Sequence, residues 1–159
     1  MVKRAVILLI LVLLLGIAAV ACGGGEEPFT PPSSSDGEQP TQPELRPDLV
    51  ISTIEVIPAQ PQSGQFFGLN VYVANQGQAS SGKYDVAINI QDISHGGTYP
   101  IGTFRQGAMN VGESYCVYSS TNVLVNDPGS YQVNVEIIPF LFDDGNTGNN
   151  SVSKPFTAK

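Results

Sequence analysis

Three stretches of the chain alternate apolar and polar side chains with a period of two. Phe67, Leu69, Val71 and Val73 are separated by Gly68, Asn70 and Tyr72; Val86, Ile88 and Ile90 by Ala87 and Asn89; Tyr131, Val133, Val135 and Ile137 by Gln132, Asn134 and Glu136. Successive side chains of an extended strand point to opposite faces, so each stretch reads as a strand with one face on a core. No segment from residue 48 onward carries an amphipathic helical stripe. Turn-forming residues punctuate the strands at Pro61-Gln62-Ser63-Gly64, Asn75-Gln76-Gly77, Ser80-Ser81-Gly82, Asn126-Asp127-Pro128-Gly129 and Asp143-Asp144-Gly145-Asn146. Further strands over Leu49–Ile57, Thr98–Arg105, Glu113–Val125 and Ser151–Thr157 bring the total to about seven and predict an all-β fold, an antiparallel two-sheet sandwich. Its expected core is Ile51 together with the inward residues of the three alternating stretches.

The folded part begins late. Residues 48–159 suffice for one compact domain. Ahead of them, Met1-Val2-Lys3-Arg4 leads into an uncharged apolar run from Ala5 to Ala21, and Ala18-Ala19-Val20-Ala21 precedes Cys22 and Gly23-Gly24-Gly25. A basic start, a short apolar run and small residues before a cysteine are the pattern of a lipoprotein export signal. The run is slightly shorter than the roughly 20 residues that span a bilayer. The expectation is a signal peptide over 1–21, lipidation at Cys22, and a Gly/Pro/Ser/Glu-rich tether over 22–47 that carries too few apolar residues to pack. Ala19 departs from the leucine usual three places before the cysteine. This reading puts the domain in the cell envelope, held to the membrane by its N-terminal lipid. The anchor faces the outside of the cytoplasmic membrane or, since Gly23 and Gly24 rather than Asp follow Cys22, an outer membrane.

Charge and chemistry remove several function classes. Residues 48–159 hold nine acidic and four basic side chains, a net of −5. Nucleic-acid binding depends on neutralising phosphates with Lys and Arg, so it is not expected. With Cys22 used by the anchor, Cys116 has no disulfide partner within the domain and reads as a small strand residue in Ser114-Tyr115-Cys116-Val117-Tyr118. The sole histidine, His95, lies in the loop Ser94-His95-Gly96-Gly97. No phosphate-binding glycine loop, nucleophile elbow or zinc pair of histidines is present. The adjacent carboxylates of Asp143 and Asp144 would point apart in an extended segment. The chain is therefore read as a non-enzyme, with no catalytic residues.

Two candidate sites remain. The run Asp143-Asp144-Gly145-Asn146-Thr147-Gly148-Asn149-Asn150 places carboxylates and amides close together, and calcium takes six to eight such oxygens. Asp143, Asp144, Asn146, Asn149 and Asn150 are thus candidate calcium ligands, and calcium is the one cofactor considered. The same residues also build ordinary Asx turns, and the terminal Glu of an EF-hand loop is absent. Phe140 and Phe142, in Ile137-Ile138-Pro139-Phe140-Leu141-Phe142, are candidate protein-contact residues if they are exposed together; if buried, they cap the core. Tyr72, Tyr84, Tyr99, Tyr115 and Tyr118 are equally ordinary strand residues and are assigned no glycan site.

Taken in order, Asp48-Leu49-Val50-Ile51, Ile57-Pro58, Val71-Tyr72-Val73-Ala74-Asn75-Gln76-Gly77, Val111-Gly112-Glu113-Ser114, Pro128-Gly129-Ser130-Tyr131-Gln132-Val133 and Asn149-Asn150 resemble the cell-adhesion-related domain found in bacteria, CARDB. The resemblance implies an immunoglobulin-like sandwich in an exported surface protein. It implies a role in adhesion or in binding an envelope protein or polysaccharide, alongside two alternatives: a structural or accessory subunit of an envelope complex, and a calcium-dependent binding module. Asn75 and Gly77 are expected to form a turn in which Gly77 takes a positive φ.

Overall fold

The computed structural model describes residues 43–159. The predicted signal peptide, Cys22 and most of the tether lie outside the described residues. Seven strands follow in order: β1 (Leu49–Ile57), β2 (Phe67–Asn75), β3 (Tyr84–Asp92), β4 (Thr98–Gln106), β5 (Ser114–Val123), β6 (Gly129–Pro139) and β7 (Ser151–Ala158). They make two antiparallel sheets, β1-β2-β5 and β4-β3-β6-β7. Hairpins join β1 to β2, β3 to β4 and β6 to β7, while the chain changes sheets after β2, β4 and β5.

The period-two stretches became β2, β3 and β6, the three strands that lie between neighbours. Every core residue expected from the sequence is buried, joined by Leu49, Ile54, Tyr84, Met109, Val123, Val125, Phe156 and Ala158. Each large apolar side chain removed from water contributes about 1.5–3 kcal/mol, so this shared face is what holds the sheets together. Phe156 of β7 spans the gap between them, 5.6 Å from the Phe67 ring of β2 and stacked at 5.4 Å on Tyr131 of β6. Tyr131 also donates its hydroxyl proton to the Asp127 carbonyl at 2.7 Å. A tyrosine at the start of this strand tied to backbone four residues upstream is the tyrosine corner of immunoglobulin-like sandwiches.

Gly77 is needed for a different reason from the one expected. Its φ is not positive; a Cβ at this position would lie 2.3 Å from the Asp48 nitrogen and 2.5 Å from the Arg46 carbonyl oxygen. Glycine here lets two backbones touch. Turn glycines that do take a left-handed conformation include Gly64, at φ 71°, and Gly112, at φ 76°. The Arg46–Asp48 backbone packs against this loop, and Pro47 is buried, so ordered structure reaches back into residues assigned to the tether.

All four sheet edges are interrupted. The β1 register slips at Ser52, β4 carries an extra residue at Ile101, and β5 slips twice against β2. On β7, Pro155 removes a backbone donor in mid-strand. Bulges and the β7 proline shorten the continuous row of N–H and C=O groups that another chain would extend, leaving Thr53–Ile57 of β1 in regular register.

Candidate functional site

The chain enters β1 between two loops that both hold it. On one side, Gln78 and Gln76 donate backbone N–H groups to the Arg46 and Asp48 carbonyls, each at 2.8 Å. Buried Asn75 completes that side: its Oδ1 accepts from the Asp48 and Gly77 nitrogens at 3.2 and 3.0 Å, and its Nδ2 donates to the Ala79 and Met109 carbonyls at 2.9 and 3.0 Å. Every hydrogen-bonding position of one amide is therefore spent on tying three segments together. On the other side, the loop after β6 meets the same strand. Gly145 N–H donates to the Pro47 carbonyl at 2.6 Å, and Leu49 N–H donates to Asp144 Oδ2 at 3.0 Å.

This second loop contains the residues expected to bind calcium. Asp144 is buried and spends both oxygens locally, Oδ1 accepting from the Asn146 N–H at 2.9 Å. Asn146 caps a single 3-10 turn, Thr147–Asn149, by accepting from Gly148 N–H at 3.3 Å. Asn149 Nδ2 donates to Asp48 Oδ1 at 2.8 Å across 101 residues of sequence. Asp143 stands apart: it is exposed, and its charge adds to the larger hydrogen-bond and charge effect of Glu44 in raising the pKa of Arg46. The structure thus groups Asp48, Asp144, Asn146 and Asn149, with Asn150 next in the chain. Asp48 was missed because nothing local links it to residue 149.

Two features bear on a cation here. Asn149 Oδ1 and Asn150 Oδ1 are buried without a hydrogen-bond partner, and an unpaired buried carbonyl oxygen costs about 1–3 kcal/mol. Against this, no group of three or more His, Cys, Asp or Glu side chains suited to a metal occurs among the described residues. The donor set is two carboxylates and neutral amide oxygens, the chemistry of a weak hard-cation site.

Phe140 and Phe142 do not form one exposed pair. The Phe142 ring turns inward, packs on the core and lies where a Cβ on Gly82 would be, at 2.9 Å. Phe140 is exposed, with the Arg105 guanidinium 5.0 Å from its ring centre. Arg105 is held in place by two 2.9 Å bonds to Asp85 across the strand pair. Between the two rings, Leu141 is 91% exposed at φ 61°, a conformation that costs a side-chain-bearing residue roughly 1–2 kcal/mol. The exposed apolar group is therefore Ile138, Phe140 and Leu141, because the left-handed turn at Leu141 reverses the alternation.

The cysteine and histidine are not brought together. Cys116 Sγ is exposed and donates to the Tyr118 carbonyl at 3.2 Å. His95 Nδ1 meets Asp92 Oδ2 at 3.2 Å, and Asp92 also accepts the backbone N–H groups of Ser94 and His95 at 3.0 and 2.8 Å. Burial pushes the Asp92 carboxyl up, but these bonds from His95 and Ser94 outweigh it and hold its pKa below the usual value. The arrangement locks the β3–β4 turn.

The CARDB family model matches residues 46–154, about two thirds of the chain. The chain belongs to the CARDB family. The matched range starts at the Arg46 junction, where hydrogen bonding to the sandwich also starts. Among solved structures, the CARDB domain of a Pyrococcus furiosus protein, crystallised with two metal ions, superposes with a TM-score of 0.59 at 19% identity. It covers 72% of this chain and 90% of that domain. A domain of a Methanosarcina acetivorans protein assigned to the cell surface, solved by NMR, gives a TM-score of 0.53 at 19% identity, covering 72% and 94%. At these identities the likeness is one of fold. No curated protein matches the chain at a significant level.

Proposed function

We propose that this CARDB domain is a non-catalytic interaction module of the cell envelope, carried outside the cytoplasm on a lipid attached to Cys22. The observation that carries the reading is the CARDB match over 46–154, which follows a lipoprotein-type leader and its Gly/Pro/Ser/Glu-rich tether. The cell-surface assignment of the Methanosarcina acetivorans relative supports the location. The net charge of −5 over residues 48–159 and the separation of Cys116 from His95 agree with a binding role for a protein or polysaccharide partner. The test is expression of the full chain and of Cys22→Ala in a bacterial host. Palmitate labelling, membrane retention and protease accessibility on intact cells should all be lost in the variant. Cells carrying the native chain should bind envelope material that cells without it do not. Labelling that persists in Cys22→Ala, or a chain protected from protease on intact cells, would remove this reading.

A second reading is favoured by the two unpartnered amide oxygens and by the metal content of the Pyrococcus furiosus domain. Here calcium is held by Asp48, Asp144, Asn149 and Asn150, with Asp143 left out. With so few carboxylates the affinity belongs in the millimolar range of extracellular modules. A ligand at 100 times its dissociation constant adds about 2.7 kcal/mol, a shift of several degrees for a domain of this size. Thermal unfolding in calcium and in chelator should show that shift, with Asp48→Asn abolishing it and Asp143→Asn retaining it. Identical midpoints in calcium and in chelator would leave the loop as turn structure alone.

A further inference from the structure

Where the two sheets part at the β1 and β7 edges, they leave an apolar groove of about 350 Å³. Ile54, Val56 and Ile57 form one wall, and Pro155 and Phe156 the other. Ile57, paired with Gly68, lies on the outward face of β1 with Glu55 and is 52% exposed, so it forms the rim of the groove. Three further observations define what fits. Lys154 pairs with buried Val133, and paired residues share a face, so the lysine stands on the core-facing side of β7 and lines the groove. Lys154 has no carboxylate within salt-bridge distance among the described residues. Glu55, also on the lining, accepts from Asn70 Nδ2 at 3.1 Å, and its partner Asn70 alternates with the inward residues of β2. The groove therefore presents one unmatched cation against apolar walls. Beyond the slip at Ser52, β1 pairs with β2 in unbroken register from Thr53 to Ile57, so its outer edge there is a regular row of backbone donors and acceptors.

We propose that this groove docks an extended peptide segment of a partner protein, one that places an apolar side chain between the walls and a carboxylate on Lys154. The free β1 edge selects a polypeptide over a lipid, because only a peptide backbone answers its hydrogen-bonding groups in register. Lys154 selects an acidic segment over a basic one and sets the direction of docking. This deepens the reading of the domain as an interaction module and rests on it.

The probe is the blocked peptide Thr-Val-Thr-Asp-Thr, whose Val and Asp share one face of an extended strand, with Thr-Val-Thr-Lys-Thr as its charge-reversed control. Each is titrated into the full chain in lipid nanodiscs, with Ile and Val methyl groups labelled for NMR. The Asp peptide should move the Ile54, Val56 and Ile57 methyl signals and bind about tenfold more tightly than the Lys peptide, a difference of 1.4 kcal/mol. Lys154→Glu should invert that preference while leaving the core methyl signals of Val71 and Val135 in place. Val56→Asp should abolish binding of both peptides. Equal affinity for the two peptides, or methyl shifts confined to another face, would overturn the proposal. So would the same shifts appearing without peptide, on raising protein concentration (a second copy in the groove) or on changing the disc lipid (a lipid in it). If the Asp peptide fails while cells carrying the chain still bind envelope material, the groove is excluded and the interaction module stands. If both fail, the wider reading falls with it.

Discussion

Neighbouring strands β3 and β4 differ more than their pairing suggests. In β3, buried and half-buried residues alternate almost without a break, from Tyr84 to Asp92. In β4 no residue is fully buried. β5 repeats the β4 case in the other sheet, with only Val123 buried. A strand between two neighbours is placed by ladders on both sides and by its inward face, whereas an edge strand has one ladder and bulges that rotate part of it out of register. The difference separates strands that carry the core from β4 and β5, which add little buried surface to it.

The sharpest test of that division is a pair of truncations. Leu69→Ala, in β2 and fully buried, should cost about 2–5 kcal/mol in urea unfolding, and Val117→Ala on β5 clearly less. Comparable losses would show that the edges contribute to the core as much as the middle does. At the end of β2, Asn75→Ala strands three backbone groups at once, the Asp48 and Gly77 N–H groups and the Ala79 carbonyl, while the Met109 carbonyl keeps the Ser81 N–H; it should lower stability by about 1–3 kcal/mol or more. Gly77→Ala should cost a similar amount, about 1–3 kcal/mol, because the new methyl meets backbone that cannot yield.

Acid should act on the margins first. Asp85 is held below its ordinary pKa by hydrogen bonds from Arg105, and Glu113 by the backbone and side chain of Asn110. Asp92 is lowered as well, despite its burial. A depressed carboxyl contributes stability that is present above its unfolded pKa and lost as pH falls through the folded value. The unfolding midpoint should therefore hold near neutrality and drop as pH falls below about 4, and Asp92→Asn should flatten part of that drop. The smallest effect expected is Cys116→Ser, within about 0.5 kcal/mol, since the thiol is exposed on an edge. A larger loss there would mean that the thiol and its bond to the Tyr118 carbonyl hold β5 more firmly than its exposure indicates.

The uneven burial also explains what could be read from residues alone. β2, β3 and β6 announced themselves because two-sided pairing enforces the period, and their buried residues matched expectation. β4 and β5 were found by turn signals and strand-forming residues, with ends less well placed: β5 stops at Val123 while Val125, still buried, lies beyond it. The family was legible in the order of short motifs, but the reason for individual residues was not. Gly77 reads as a turn glycine until Arg46 and Asp48 are seen against it. Asp48 shows no connection to Asn149 until the chain closes on itself. Phe142 could not be separated from Phe140 because the reversal depends on the backbone of Leu141, a residue with no local preference for that conformation. Contacts between distant segments leave no periodic trace.

The junction at Arg46–Asp48 also has a mechanical meaning. Any tension arriving from the N-terminal side reaches the sandwich through Pro47, which is held by the Gly145 N–H on one side and flanked by bonds to Gln76 and Gln78 on the other. A pull along β1 then loads its ladder with β2 in shear, so the paired residues from Leu49 to Ile57 must yield together and not one at a time. The two loops act as a strain relief at the point where a cord enters a rigid body, spreading force over both sheets before the first strand feels it.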